Sequence, residues 1–598
     1  MASFNRPGVY IQEVSLPQSV PLADVSAAAG AMAGWLSKGA TNAPVLVSSW
    51  NDFVKNFGGL NDSFPATWAA YNFFANGGRD LYVQRVVGTG AAAGTIVVND
   101  GVSGTTTYTA TVTAASATAG TVTYTANNTF SSGQTVSITG LSTDAFNLTS
   151  VTIASASSTQ FTVTNAATGT AVTGATATAT VNVTVTANPV FTLTAINPGT
   201  WSSSYGVQIV PAGVSSRFGI NIYNIVGSTS TLVESWSDLS MDPTDKYYFR
   251  SLLNSMSVYV TVGSSGLDNS KSPYTGATTP TVFANGANGS APARTDYYNA
   301  GNSPATGAWT LFDTIKNPLV VYNPDAAYAS TSTLTTQLHG DAMIYAAARG
   351  DAFAVIDTPS GLSASGAQAN VTASLAVAAA STTGNNAAAY YPWINVPDVN
   401  KAPGTLRTQA PGAAIVGQYL ATDATRGVFK TPAGLGNKIA LAVSTEHQFT
   451  NAELDALNTS VDPVNAIRQV PGAGIVVMGG RTLDNTPNNR YINLRRSMIY
   501  IEKRIKDLTS FAVFENNDAR LWLQIRTSIN TFLLSYWSQG GLRGNSPTEA
   551  YYVKCDATTT SFSDIQSGIV NVEVGVALEY PTEFVVVKLG QLTGNASA

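Results

Sequence analysis

Charge is what this sequence of 598 residues has least of. Asp, Glu, Lys and Arg make up only 11% of it and the net charge is −5, against the usual quarter of charged residues. So near-neutral a balance gives no support to a protein that holds nucleic acid through a basic excess, and so sparsely charged a chain favours assembly over life as a free solute. Cysteine is almost absent: Cys555 stands alone, which excludes intramolecular disulfides and multi-cysteine metal sites. Only two histidines, His339 and His447, are available for acid–base or metal chemistry. Neither belongs to a metal or nucleophile motif, so both read as structural or surface residues. No apolar run reaches the ~18 residues of a spanning helix, and the start lacks a basic and apolar leader. The expectation is a protein made in a cytoplasm, with no membrane insertion, no metal, no cofactor and no enzymatic activity.

Hydrophobic residues fill 44% of the chain, enough to bury several cores. From Ala27 to Val87 strand and helix patterns mix. "PATWAAYNFFANGG" reads as a helix with proline near its start and glycines at its stop. Composition shifts after Gly88: between Gly101 and Val190 the single charged residue is Asp144. Alternation in "GTVTYTA", "QTVSITG" and "TQFTVTN" predicts short strands and an all-β sandwich of immunoglobulin-like type. A disordered linker is the other reading of such low complexity, and the strict period of two speaks against it. The chain is read as leaving its main body near Gly88 and returning near Phe191.

Beyond Phe191 mixed patterns resume, broken by a Gly-, Ser-, Asn- and Pro-rich stretch from Gly263 to Gly307 that reads as a surface excursion. "PLVVYNPD" and "DAFAVIDTP" flank a helical segment, predicting a parallel strand–helix–strand unit. Asp357, at the end of the second strand, reads as a turn cap before Thr358-Pro359 more readily than as a catalytic carboxylate. "GTGAAAG" from Gly88 lacks the spacing and the following lysine of a phosphate loop and reads as a linker. Two helices follow late in the chain, then "GIVNVEVGVALEYP", whose alternating Val570, Val572, Val574, Val576 and Leu578 predict a half-buried strand. The segment holding Arg490, Arg495, Arg496, Lys503, Arg504 and Lys506 is the densest charge cluster. It reads either as a solvated helix face or as a docking surface for an acidic protein.

The opening "RPGVYIQEV", with "AAAGAMAGWLSKGATNAPVLVSSWNDFVKNFGGL" and "FFANGGRDLYVQRV", resembles the start of contractile tail sheath proteins of phages. "AYYPWINVPD", "PGAAIVGQYLATDATRGVFKTPAG" and "GIVVMGGRTL" are similar to the family's central motifs. "RYINLRRSMIYIEKRIKDLTSFAVFENND" and "VEVGVALEYPTEFVVVKLGQ" are similar to its end. The resemblance implies a multidomain α+β fold: an N-terminal arm over 1–25, an α/β core over 26–90 and 191–480 with the excursion 263–307, an inserted all-β decoration-like domain over 91–190, and a C-terminal α+β domain over 481–598.

It also implies a helical homo-oligomer of stacked hexameric rings around an inner tail tube protein, with baseplate and terminator proteins as further partners. In such a sheath the arms of one subunit complete a sheet in another. On this chain the implied strand-exchange residues are Val9, Tyr10, Ile11 and Val14, then Val570, Val572, Val574 and Val576, then Phe584, Val585 and Val587. The basic cluster would face the tube. Contraction on a baseplate signal would drive the tube through a host envelope, in a virion assembled in the host cytoplasm. A sheath of a non-phage contractile system is the alternative, and a glycan-binding virion protein a more distant one.

Overall fold

The computed structural model describes residues 28–583 apart from 102–103, 172–176, 186, 215, 300, 302–304 and 379–383. These residues form two compact units, the first from 28–91 and 288–583 and the second from 92–287.

The first unit is built on an eight-stranded sheet. Its strands are β1 (Ala29–Trp35), β2 (Val45–Val47), β3 (Leu81–Val86), β4 (Leu319–Tyr322), β5 (Ala352–Asp357), β6 (Ala387–Tyr391), β7 (Val464–Val470) and β8 (Gly474–Val477). They lie in the order β2-β3-β1-β4-β5-β6-β7-β8. The six central strands run parallel, and β2 and β8 close the ends antiparallel. A parallel sheet is covered on both faces, so its strands need no polar side. Here Val320, Tyr322, Phe353, Val355 and Tyr390 enter one core, while Leu319, Val321, Ala354, Ile356 and Tyr391 enter the other. Helices α1 (Trp50–Phe57), α2 (Pro65–Ala75) and α5 (Gly412–Arg426) supply the first core; α3 (Ser332–Arg349) and α4 (Ala364–Ala378) supply the second. The expected parallel pairing of "PLVVYNPD" with "DAFAVIDTP" is present, from Leu319↔Ala352 to Tyr322↔Val355. Part of the expected excursion is instead core: Tyr297 and Tyr298 are buried against α3 residues, and Arg294 grips Asp341 with two bonds of 2.7 and 2.6 Å.

A smaller body follows β8. Helices α6 (Ile492–Leu508) and α7 (Ala519–Ser538) pack through Ile501, Leu521, Ile525, Ile529, Leu533 and Tyr536. Two strands, β9 (Tyr551–Lys554) and β10 (Glu573–Val576), lie on them.

The second unit holds two cores. One is made by strands Thr95–Asn99, Pro189–Ala195, Val260–Val262 and the hairpin Phe218–Val226 with Thr229–Leu239. The other is the threonine-rich region, which is all β as read but is not a pair of separate sheets. Hydrogen bonding runs round a closed ring: Gly104–Thr118, Ala177–Val185, Thr135–Thr139, Val151–Ala156, Gln160–Thr164, Thr121–Ala126 and back to Gly104–Thr118. The fifteen-residue first strand closes the ring by pairing with Ala177–Val185 through Gly104–Val112 and with Thr121–Ala126 through Val112–Thr118, the second pairing shifting register between Val112 and Ala114. Bulges bend strands in this way. Inside, Tyr124 stacks on Phe161 at 5.0 Å and donates to the Phe146 carbonyl at 2.8 Å. The ring's first and last strands continue the pairing of Thr95–Asn99 with Pro189–Ala195. The second unit as a whole extends from 92 to 287, so the strands that follow the ring belong to it as well.

Candidate functional site

The C-terminal body contains a sheet that is too small. Strands β9 and β10 pair antiparallel from Tyr551↔Val576 to Lys554↔Glu573, and among the described residues no third strand joins either edge. A two-stranded ribbon is marginal by itself, and each open edge offers unpaired backbone donors and acceptors. Its inner face is anchored: Val553, Val570, Val572, Val574, Val576 and Leu578 pack against the α6–α7 core. Its outer face carries Tyr552, 55% exposed, and Glu573. β10 covers four residues of the alternation from Val570 to Leu578; beyond it Ala577 donates to the Ala550 carbonyl and accepts from the Arg543 N–H, each at 2.8 Å, and Leu578 bridges Leu542. Asn571 is held instead by the Thr560 hydroxyl, which accepts its N–H at 3.0 Å. The other residues expected in strand exchange, Val9, Tyr10, Ile11, Val14, Phe584, Val585 and Val587, lie outside the described residues.

The basic cluster does not form one face. Arg496 is buried and corrects the sequence reading: its guanidinium meets the Asp423 carboxylate of α5 at 2.9 and 2.5 Å and lies 4.7 Å from the Tyr419 ring centre. Such a residue cannot face a tube. Arg495 donates to Asn386 Oδ1 at 2.6 Å, and Arg490 to the Asn485 carbonyl. Arg504 lies over Phe532 at 5.9 Å. Lys503 pairs with Asp507 at 3.1 Å, and Lys506 is exposed. These two lysines, with Lys316 and Arg349, line an open cavity of about 550 Å³. Lys316 carries no sequence signal for this role, since it lies far from the cluster along the chain.

The polar groups at the strand ends hold the fold. Asp357 is buried, accepts the Tyr322 hydroxyl at 2.7 Å and the N–H of Gly412, and so ties β5 to the start of α5 rather than capping its own turn. A side chain at Gly412 would meet Tyr322 and Asp357 at 2.4 and 2.6 Å, so only glycine allows the approach. Burial raises the Asp357 carboxyl to about 7 and that of Asp325 to about 6. Both groups are therefore neutral in the fold at pH values where the unfolded chain has them ionised. The stability they confer is complete below about pH 4 and falls from there, at roughly 1.4 kcal/mol per pH unit for each group, levelling off once pH has passed about 6 for Asp325 and about 7 for Asp357. Asp357→Asn is expected to flatten that loss. Thermal melts from pH 5 to 8.5 check it: parallel curves for the variant and the parent would contradict the assignment. Of the histidines, His339 is buried and held neutral, its pKa lowered by burial to about 3, while His447 meets Glu453 at 3.2 Å. Among the described residues no group of His, Cys, Asp and Glu could hold a metal.

Residues 484–589 match the family model of the phage tail sheath C-terminal domain. Among solved structures, the sheath tail protein of Listeria innocua is similar over 92% of this chain and 96% of its own, at 11% identity and a TM-score of 0.50. The helical sheath of the anti-feeding prophage in its contracted state is similar over 98% of this chain and 99% of its own, at 18% identity and a TM-score of 0.49. A sheath complex of an extracellular contractile injection system, also contracted, is similar over 40% of this chain and 64% of its own, at 32% identity and a TM-score of 0.34. Comparison with curated proteins gives no match. The Listeria likeness speaks for the fold alone.

Proposed function

We propose that this chain, whose residues 484–589 match the family model of the phage tail sheath C-terminal domain, belongs with the tail sheath proteins and polymerises into the helical contractile sheath of a phage tail. The observation that carries the reading is the β9–β10 sheet inside the matched domain, which among the described residues has only two strands. An edge of this kind is completed by an extended segment from another chain, main-chain hydrogen bonds giving affinity and alternating side chains fixing register. The segments around Val9 to Val14 and Phe584 to Val587 are rich in the β-branched and aromatic residues that form strands. A head-to-tail exchange that does not close on itself makes an open helical array. The role is structural and needs no cofactor: subunits held in an extended arrangement from the baseplate outward are released into a lower-energy packing, which drives the tube through the host envelope. The ring-shaped threonine-rich body is a decoration in this reading, and its presence favours a phage over a non-phage injection system.

The tube contact narrows to Lys503 and Lys506 with Lys316, since Arg496 is engaged inside the protein. Co-assembly tests the reading. The full chain mixed with its tube protein is expected to give sheathed tubes in electron micrographs. Lys503→Glu with Lys506→Glu is expected to reduce sheathing about tenfold or more, an effect that weakens in high salt. Naked tubes beside a monomeric parent chain would overturn the sheath reading; full sheathing by the charge-reversed variant would overturn the tube contact alone.

A further inference from the structure

The last described residues, Leu578 to Glu583, are fastened to the first unit by a set of side chains that the sequence does not single out. Glu583 receives two parallel hydrogen bonds from Arg481, at 2.9 and 2.7 Å, and a third from the Tyr491 hydroxyl at 3.0 Å. Four residues earlier, Asn493 donates to the Glu579 carbonyl at 2.8 Å. Between them the Tyr580 ring stands edge-to-face on Tyr491 at 6.4 Å. Arg481 itself is 8% exposed and cannot wander: the Asn465 amide group bonds both its backbone N–H and its carbonyl, each at 2.8 Å. Asn465 stands on β7 of the eight-stranded sheet, where it also donates to the Ala389 carbonyl of β6 at 3.1 Å. Gly479 lets the loop pass this close, since a Cβ there would sit 2.6 Å from Asn465 Oδ1. A continuous line of short contacts thus runs from the central sheet through Asn465 and Arg481 to Glu583. The Arg481 guanidinium holds the Glu583 carboxyl below the usual glutamate range although burial opposes it.

A fork-shaped guanidinium–carboxylate pair fixes direction as well as distance. The chain continues from Glu583 into "FVVVKLGQL", the segment proposed above to enter another subunit. We propose that Arg481, with Tyr491 and Asn493, is the anchor that sets where and in what direction this C-terminal arm leaves the body. Resting on the strand-donation reading, this makes Arg481 a positioning residue for assembly: it selects which neighbour the arm reaches and passes the neighbour's pull to the central sheet.

Three full-length variants test it: Glu583→Gln, Arg481→Met, and the exchanged pair Arg481→Glu with Glu583→Arg. Because Glu583 sits at the edge of the body, Glu583→Gln is expected to melt with the parent. Amide hydrogen exchange over Leu578–Glu583 is expected to quicken about tenfold in each single variant, the scale of a lost hydrogen bond to a charged group. The yield of helical polymer should fall with it, and the exchanged pair should recover both. Exchange and polymer yield equal to the parent in both single variants would overturn the anchor. A deletion of residues 584–598 separates the two ideas: if that deletion polymerises normally, strand donation by this arm fails, while the exchange measurement still decides whether Arg481 holds the segment.

Discussion

Arg496→Ala is expected to cost about 3–5 kcal/mol of stability, the range for breaking a buried ion pair by removing one partner. The reason is what remains behind. Asp423 is buried on α5 with its carboxylate turned to the guanidinium, and without Arg496 it keeps a charge with neither water nor a counter-ion. The arginine also lies on Tyr419, whose hydroxyl is 2.6 Å from that of Tyr390 on β6. Its loss therefore opens the seam where α6, from the matched C-terminal domain, is fastened to the central sheet. Arg496→Lys should recover little, because an ammonium offers neither the two parallel bonds nor the flat stacking surface. Replacing both partners, Arg496→Met with Asp423→Leu, should recover most of the stability, since no charge is then stranded. Urea unfolding followed by tryptophan fluorescence measures all three. A loss below about 1 kcal/mol for Arg496→Ala is the size seen for exposed pairs, and would return this residue to the solvent-facing cluster.

Removal of Met1 to Ser15 is expected to abolish helical polymers while leaving the body folded. The proposed sheath depends on a strand from one subunit entering the β9–β10 edge of another, and Val9, Tyr10, Ile11 and Val14 supply its strand-forming residues. A sheet of two strands has little independent stability, whereas three or more strands on a hydrophobic face are stable; the donated strand therefore contributes to both subunits at once. Electron microscopy of the full chain beside the truncated one decides. Tubes from the first and monomers from the second support the arm as the clasp. Tubes from both keep the sheath and dismiss this arm. Monomers from both, even with tube protein present, turn attention to glycan binding by the threonine-rich ring.

Much of this was readable in advance where a single element carries its own evidence. Continuous apolar runs ending in Asn-Pro-Asp and Asp-Thr-Pro mark β4 and β5, because a strand covered on both faces has no polar side to show. The spacing of four and seven residues between Ile525, Ile529 and Tyr536 marks the buried stripe of α7. The valines from Val570 to Val576 mark the face that rests on the helices. What stayed hidden depends on partners distant along the chain. Periodicity places Arg495 and Arg496 side by side but cannot show that only the second meets Asp423, 73 residues away. Alternation identifies the strands of the threonine-rich region, yet ring closure turns on one strand pairing with both Ala177–Val185 and Thr121–Ala126, which leaves the composition untouched. Arg481 and Glu583, 102 residues apart, carry no local signal at all.

The threonine-rich ring continues from the pairing of Thr95–Asn99 with Pro189–Ala195, in which Asn99 lies opposite Pro189, and Asn188 donates its backbone N–H to Asp100 at 2.7 Å. The place where the chain departs and the place where it comes back are thus neighbours across a single strand pair. For evolution this is a socket: a gene fragment spliced in or out here changes what is displayed without stretching the segments that hold it. An engineer has the same freedom, since a short turn joining Asn99 to Pro189 closes the socket and a foreign domain with adjacent termini fills it.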